Sequence, residues 1–245
     1  MSFLHMAKIL LIETATAVCS AAIALDGEVI ALAEDADTSN HAARLTLLIQ
    51  ACTSRSGFSL AGLDAVALSH GPGSYTALRV GASVAKGICY ALDKPLIAVS
   101  TLQALAQAAL HAYGAAASAQ AVIALPMLDA RRNEVWTAAF NADLQDVLPP
   151  QPLVLEHDLF VNFIETIRGI TPGAVFVVSG NGAFKLFSAQ NIEGTVCGPV
   201  QNCSAAYLAA LAESFFQSSN FQDLTYYEPF YMKPPHITVS KKAPY

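Results

Sequence analysis

Residues 69–95, SHGPGSYTALRVGASVAKGICYALDKP, join a glycine-rich loop to a helix with little polar surface. The apolar run over 64–69 predicts a buried strand, and GPGS at 71–74 predicts a tight strand-to-helix turn. In the helix predicted over 74–92, only about a quarter of the circumference is polar. A helix on one sheet needs a single apolar face, so the surplus indicates a neighbouring helix or another protein. The stretch therefore suggests either a phosphate-binding loop or a docking surface.

The sequence before this stretch predicts a sheet covered by helices. Apolar runs predict strands at 7–13, 18–25 and 28–34, and Asp26-Gly27 is a hairpin signal between the last two. Apolar spacing predicts a helix over 40–55, and another strand follows at 96–99. The order of three strands, helix, strand, helix and strand predicts an α/β fold with a mixed sheet.

The second half of the chain alternates helices and strands again. We predict helices at 101–113, 158–168 and 204–217, and strands at 121–128, 129–140 and 174–179. DVLPPQP at 146–152 predicts a loop, and the aromatic, proline-rich tail at 226–245 predicts an extended segment on the fold. The predicted division is an N-terminal lobe over 1–100 and a C-terminal lobe over 101–245, with the C-terminal helix or tail packing back on the N-terminal lobe.

Composition narrows the class of protein. With 13 Lys and Arg against 19 Asp and Glu, and no stretch in which basic residues cluster with aromatics, tight RNA binding by this chain alone is not expected. Asp129, Arg131, Arg132 and Glu134 form a charged cluster that is most simply a solvated turn, with a functional ion pair as the alternative. No apolar run is long enough to cross a bilayer, and the N-terminus lacks the features of a signal peptide. We therefore expect a cytoplasmic protein without membrane contact.

Cysteines and histidines suggest no metal site. The five cysteines are dispersed and lack a CxxC pair, which favours reduced thiols, although CGPVQNC leaves a Cys197–Cys203 disulfide open. The six histidines show no HxxxH or HExxH spacing.

Two short segments carry residues suited to a phosphate or nucleotide. The first follows the first strand and the second is the glycine-rich loop; together they contribute Glu13, Thr14, Thr16, Gly71, Gly73 and Ser74. Glycines allow close backbone approach, and a helix N-terminus favours anions. The same residues also describe a strand end and an ordinary turn, and the loop is neither a Walker loop nor GxGxxG. Both interpretations stay open.

Four segments together resemble the bacterial TsaB family, also called YeaZ, of tRNA threonylcarbamoyladenosine biosynthesis. They are ILLIETATAVCSAAI, NHAARL, LDAVALSHGPGSYTALRVGASVAKGICYALDKPLIAVSTLQALA and MLDARRNEVWTAAF. The resemblance covers residues 7–140. It implies a two-lobed actin-like ATPase fold (ASKHA, ribonuclease H-like) with mixed sheets flanked by helices. Family members were once labelled inactive glycoprotease homologues.

The resemblance also implies a function without catalysis. A weaker likeness to the catalytic paralogue TsaD places its two metal-binding histidines at Thr101 and Leu105 here, and a hydroxyl and an alkyl group cannot replace two imidazoles. The family implies a subunit that binds and activates TsaD, with the ATPase TsaE, in transferring threonylcarbamoyl to the adenosine next to the anticodon. No catalytic residue, metal or cofactor of its own is expected. ATP or ADP would lie at the complex interface, and tRNA would be bound through the complex.

The family match assigns partner binding to the helices at 40–55 and 74–92. From the helical face we predict contacts at Leu45, Leu48, Ile49, Ala77, Gly81, Val84 and Ile88. Two other functions remain as alternatives. One is an ATP-dependent transferase or hydrolase of the same fold, and the other is a self-associating protein of unknown role whose apolar helix face closes a homodimer. A homodimer is also expected when the chain lacks its partner.

Overall fold

The computed structural model describes residues 6–36, 41–115, 120–189 and 193–233. A mixed five-stranded sheet forms first, in the order β3-β2-β1-β4-β5. Its strands are β1 (Lys8–Glu13), β2 (Cys19–Leu25), β3 (Glu28–Asp35), β4 (Ala65–Gly71) and β5 (Leu96–Ser100). Helices α1 (His41–Ser56) and α2 (Tyr75–Leu92) connect them. The predicted start of α1, Asn40, lies outside the described residues.

A second five-stranded sheet follows in the order β10-β9-β6-β7-β8. Its strands are β6 (Val122–Asp129), β7 (Glu134–Phe140), β8 (Asp146–Val154), β9 (Val175–Ser179) and β10 (Thr195–Cys197). The helices of this half of the chain are α3 (Thr101–Tyr113), α4 (His157–Ile170), α5 (Ala183–Ala189) and α6 (Ala209–Gln217). None of the helices within the described ranges has the length and apolar character needed to cross a membrane.

Alternating side chains of β1 explain the layers around the first sheet. Leu10 and Ile12 pack with α1 and α2 on one face, whereas Ile9 and Leu11 pack with the C-terminal residues 205–212 on the other. Helix α3 contacts this second face through Ala104 and uses its remaining apolar residues against the second sheet. The final helix therefore lies on the N-terminal sheet, which it helps to bury.

Three details differ from the sequence predictions. Residues 146–152, predicted as a loop, belong to β8; this prediction is wrong because β8 is an edge strand, where a proline without an N–H donor is tolerated. Helix α5 and strand β10 were not predicted, since each is too short to show a clear period. The predicted helix at 204–217 is a 3₁₀ turn, Ala205–Leu208, followed by α6.

The C-terminal segment after α6 lies along the N-terminal sheet. The Gln222 N–H donates to the carbonyl of Leu96, and the Phe230 N–H donates to the carbonyl of His70, both at 2.8 Å. We call residues 221–233 the C-terminal strap. The rest of the predicted extended tail, 234–245, lies outside the described residues.

Candidate functional site

The end of β1 and the glycine-rich loop after β4 lie side by side. β1 and β4 are parallel neighbours, with Ile12 opposite Leu68, so the segments that follow them meet at one edge of the sheet. The Ser74 N–H donates to the carbonyl of Ala15 at 2.7 Å, and the Thr14 N–H donates to Ser69 Oγ at 3.3 Å. The structure thus brings together the two segments singled out for phosphate chemistry.

The glycines at this junction allow close packing of neighbouring segments. A Cβ on Gly73 would lie 2.6 Å from the carbonyl oxygen of Ala15, and one on Gly81 would lie 2.5 Å from Thr14 Oγ1. Gly71 has φ +114°, and its missing side chain leaves room for the carbonyl of Phe230 in the C-terminal strap. These contacts favour the packing interpretation of the loop, while nucleotide contact by it stays a prediction.

Glu13 is the only carboxylate among the candidate phosphate residues, and its side chain is 1% exposed. Its Oε1 accepts the Ala15 N–H at 2.5 Å, and Ser69 supplies a further hydrogen bond. Burial raises its pKa to about 7, more than these hydrogen bonds lower it. A group with this pKa has the proton affinity of a general acid or base at neutral pH, but it is closed off from solvent. When ionised, it would also repel a phosphate.

Thr16 and Cys203 form the far side of this junction. The Thr16 carbonyl lies 3.1 Å from His41 Nε2 at the start of α1, which ties the loop to that helix. Cys203 is 3% exposed, and burial, with a further contribution from the Glu13 charge, raises the pKa of its thiol well above the usual value. Cys197 is exposed, and both cysteines are free thiols, so the disulfide that their spacing left open is not formed.

Thr101 and Leu105, which the resemblance places at the positions of the TsaD histidine pair, serve packing. Thr101 Oγ1 accepts the Gly71 N–H at 3.2 Å, which fixes the glycine-rich loop to the first residue of α3. Leu105 is 1% exposed and packs against Gly180. A Cβ on Gly180 would lie 2.6 Å from Leu105 Cδ2. Across the described ranges, no group of three or more His, Cys, Asp or Glu side chains is placed to hold a metal ion.

The seven residues proposed for partner contact divide into two sets. Leu45, Ile49, Ala77 and Gly81 are buried within the chain. Leu45 and Ile49 pack in the core of the first sheet, and Gly81 lies against Thr14 of the loop after β1. Leu48, Val84 and Ile88 are half-buried and pack on the edge of that core. Of the predicted set, only these three have surface to offer a partner, and partner contact by them stays a prediction.

An open groove of about 410 Å³ lies between α1 and α2, and sequence reasoning missed most of its lining. It is lined by Ala42, Tyr75, Thr76, Arg79, Val80, Ser83 and Val84. The Arg79 guanidinium lies over the Tyr75 ring, 5.0 Å from its centroid. The Tyr75 ring also packs against the ring of Tyr231 in the C-terminal strap, with ring centroids 4.6 Å apart. The available signal was the helical spacing of Arg79 and Ser83, which puts both polar side chains on one face of α2, where they border the groove.

Comparison with known proteins identifies the family. The sequence model described as "TsaD: tRNA N6-adenosine threonylcarbamoyltransferase" matches residues 34–236. The tRNA threonylcarbamoyladenosine biosynthesis protein TsaB of Haemophilus influenzae is 28% identical over 234 residues, which cover 92% of this chain and 93% of that protein. TsaB of Escherichia coli is 38% identical over 136 residues, 56% of each chain. The chain therefore belongs to the family that this TsaD model describes, and within that family it is a TsaB (YeaZ) protein.

Solved structures confirm the fold that the resemblance implied. YeaZ from Pseudomonas aeruginosa superposes with a TM-score of 0.76 at 22% identity, over 92% of this chain and all of that one. An inorganic polyphosphate/ATP-glucomannokinase from Arthrobacter superposes with a TM-score of 0.51 at 14% identity, over 86% of this chain and 99% of that one. The chain has the two-lobed actin-like ATPase (ASKHA) fold, with each mixed sheet flanked by helices.

Proposed function

We propose that this TsaB-family chain is a non-catalytic subunit of tRNA threonylcarbamoyladenosine biosynthesis. It binds and activates a TsaD-type transferase, which modifies the adenosine next to the anticodon. The observation that carries the proposal is the structural role of Thr101 and Leu105. At the positions of the transferase histidines, one side chain holds the glycine-rich loop and the other fills the interior, so neither is available as a metal ligand.

The closed loop junction supports the same conclusion. Ala15 lies in the space beside Gly73, and Glu13 is buried within the junction. An open phosphate cradle would need that space and free N–H donors, yet the Ser74 N–H already donates to Ala15. The chain would therefore contribute no nucleotide site of its own, and ATP or ADP would be held at the complex interface, where TsaE also acts.

The groove between α1 and α2 is the proposed docking surface for TsaD. It offers apolar side chains, Val80 and Val84, beside the cation of Arg79, a mixture suited to binding helices of another protein. Leu47 on α1 is a further apolar side chain that is 56% exposed. In the absence of TsaD, the same surface would close a homodimer of this chain, and tRNA would be bound through the complex.

Ser83 and Thr166 provide a matched test of this surface. Both hydroxyls are exposed on helices and donate to a carbonyl four residues earlier, but Ser83 lines the groove and Thr166 lies on α4 of the other lobe. We expect Ser83→Arg to weaken binding to cognate TsaD by about tenfold or more, because the long charged side chain would obstruct the groove. Thr166→Arg should bind as wild type. Size exclusion and calorimetric titration with purified TsaD would measure both.

Two results would contradict the proposal. The first is equal TsaD binding by folded Ser83→Arg and by wild type, which would remove the groove as the docking site. The second is micromolar binding and turnover of Mg²⁺-ATP by the isolated chain, which would favour an ATP-dependent transferase or hydrolase. Gly81→Arg is not suitable for this test, because its side chain would be directed at Thr14 inside the fold.

A further inference from the structure

The turn between β6 and β7 gathers basic groups from three parts of the sequence. Asp129 Oδ1 accepts Lys185 Nζ from α5 at 2.5 Å, and Glu134 Oε1 accepts Lys233 Nζ from the C-terminal strap at 2.5 Å. Each carboxylate of the cluster is thus already paired with a lysine. Because the cluster also contains Arg131 and Arg132, four cations stand against two carboxylates, in a chain whose formal net charge is −6.

Hydrogen bonds hold this turn in one conformation. The Arg131 N–H donates to Asp129 Oδ1 at 2.6 Å, and the Glu134 N–H donates to the Arg131 carbonyl at 3.2 Å. Lys185 Nζ also donates to the carbonyls of Arg132 and Glu134, at 2.7 and 3.2 Å. Arg131 and Arg132 both have positive φ, +69° and +49°, a conformation that residues other than glycine rarely adopt. The network therefore presents these two arginines on a rigid support.

The two guanidinium groups have no partner within the part of the chain that the structure describes. Both arginines are exposed, and neither side chain has a hydrogen bond or ion pair to a described residue. A guanidinium presents a planar fork of donors that matches phosphate oxygens. Two adjacent free forks thus form a site suited to anions.

Helix α5 carries an exposed aromatic ring beside its lysine in the sequence. Phe184 is 75% exposed and immediately precedes Lys185, whose ammonium is held in the turn. Proteins bind single-stranded RNA by combining cations along the backbone with aromatic rings on which unpaired bases stack. An acidic peptide would use the cations but would have no need of the ring.

We propose that Arg131, Arg132 and Phe184 form an RNA-binding surface, in which the arginines contact backbone phosphates and the ring stacks on an unpaired base. We call it the Arg131–Arg132 patch. The identity of the RNA as the tRNA substrate rests on the proposed function, but binding itself is a property of this chain. The patch contributes a direct contact within the complex, and its affinity in the isolated chain is modest because few phosphates are involved.

Fluorescence anisotropy with a labelled anticodon stem–loop RNA tests the proposal on the full chain. We expect binding that weakens between about 50 and 200 mM salt. Arg131→Asn with Arg132→Asn should reduce the affinity about fivefold or more and lower the salt slope by about 1.4, since each lost phosphate contact accounts for about 0.7. Asparagine is chosen because it tolerates positive φ, so that the turn is retained. Phe184→Ala should weaken binding of the stem–loop but leave that of a fully paired duplex unchanged.

Lys94→Asn removes one cation from the other lobe. It is the matched control for the loss of a single cation in Arg132→Asn. We expect the control to bind RNA within about twofold of wild type. The inference is wrong if wild type shows no salt-dependent RNA binding, if the double variant binds as wild type, or if polyglutamate competes as well as RNA. Complex formation with TsaD is measured separately, so a failure here leaves the proposed function standing.

Discussion

Gly81 and Gly87 lie on the same helix, but a methyl group added to each would meet different surroundings. At Gly81 the new Cβ would lie 2.5 Å from Thr14 Oγ1, whereas at Gly87 it would have nothing within 4 Å. We expect Gly81→Ala to lower the free energy of unfolding by about 1 to 3 kcal/mol, as overpacking does. Gly87→Ala should raise it by about 0.5 to 1 kcal/mol, because alanine favours the helix.

Urea denaturation of both variants would measure these changes. Opposite signs would show that Gly81 is required by packing and not by helix propensity. Equal stabilisation by the two alanines would contradict the close contact between α2 and the β1 loop.

Glu13 should make stability depend on pH in an unusual direction. Burial raises its pKa from 4.5 to about 7, so between these values the folded state binds more protons than the unfolded state. The free energy of unfolding should therefore fall as pH rises through this window, by roughly 3 kcal/mol in all. Denaturation of wild type and Glu13→Gln at several pH values would measure the slope. If the free energy of unfolding of Glu13→Gln fell with pH as steeply as that of wild type, another group would cause the pH dependence.

At the scale of elements, the C-terminal strap covers the end of β4. Phe230 stacks on His70 with ring centroids 6.0 Å apart, and Tyr227 Oη lies 3.3 Å from His70 Nδ1. Lys86 Nζ on α2 donates to the carbonyl of Tyr227 at 3.2 Å. The strap therefore connects the glycine-rich loop with the helix that follows it.

The strap also lowers the pKa of His70, because burial disfavours the charged imidazolium. Phe230→Ala should admit water and raise this pKa towards its ordinary value. The NMR titration of the His70 ring in wild type and in Phe230→Ala would measure the change. A His70 pKa that does not move would mean that the ring of Phe230 is not what excludes water.

Most elements were predictable because their signals are local. The apolar runs of β1 and β4 and the Asp26-Gly27 turn were found from the sequence, since the turn needs positive φ at both positions. β8 was missed because prolines exclude a central strand but are accepted at an edge, and a sequence does not show which strand is at the edge.

At the scale of the molecule, residues of the C-terminal part complete the N-terminal core. Leu208 and Leu211 are buried against Ile9 and Leu11 of β1. The two sheets should therefore unfold together. The single tryptophan, Trp136, lies in β7 of the second sheet and can report on that transition.

Leu208→Ala should lower the free energy of unfolding by about 2 to 5 kcal/mol, because it leaves a cavity beside the first sheet. The Trp136 fluorescence transition and the circular dichroism transition should shift together to lower urea. Ala210→Ser, at an exposed position on α6, should change stability by no more than about 0.5 kcal/mol. A shift in circular dichroism alone would show that the lobes unfold independently.

The sequence alone determined most of the elements, the fold class and the family, but not β8, α5 and β10. The features that it did determine depend on short-range periodicity, on turn residues and on motifs that are contiguous in the chain. The residues suggested for phosphate chemistry were found in the same way, and β1 and β4 do place them side by side. That Ala15 lies in the space beside Gly73 could not be read from the sequence, because it depends on how the two loops pack.

Only the tertiary structure decided which helix faces are covered and which charges come together. Periodicity shows which face of a helix is apolar but not what packs against it. Leu45 and Gly81 were therefore assigned to a partner, although the chain's own sheet and loop cover them. The charged cluster that supports the Arg131–Arg132 patch combines a turn, a helix and the C-terminal strap, which are far apart in sequence. No single stretch carries that charge excess, because it arises when Lys185 and Lys233 pair with the acids that flank the arginines.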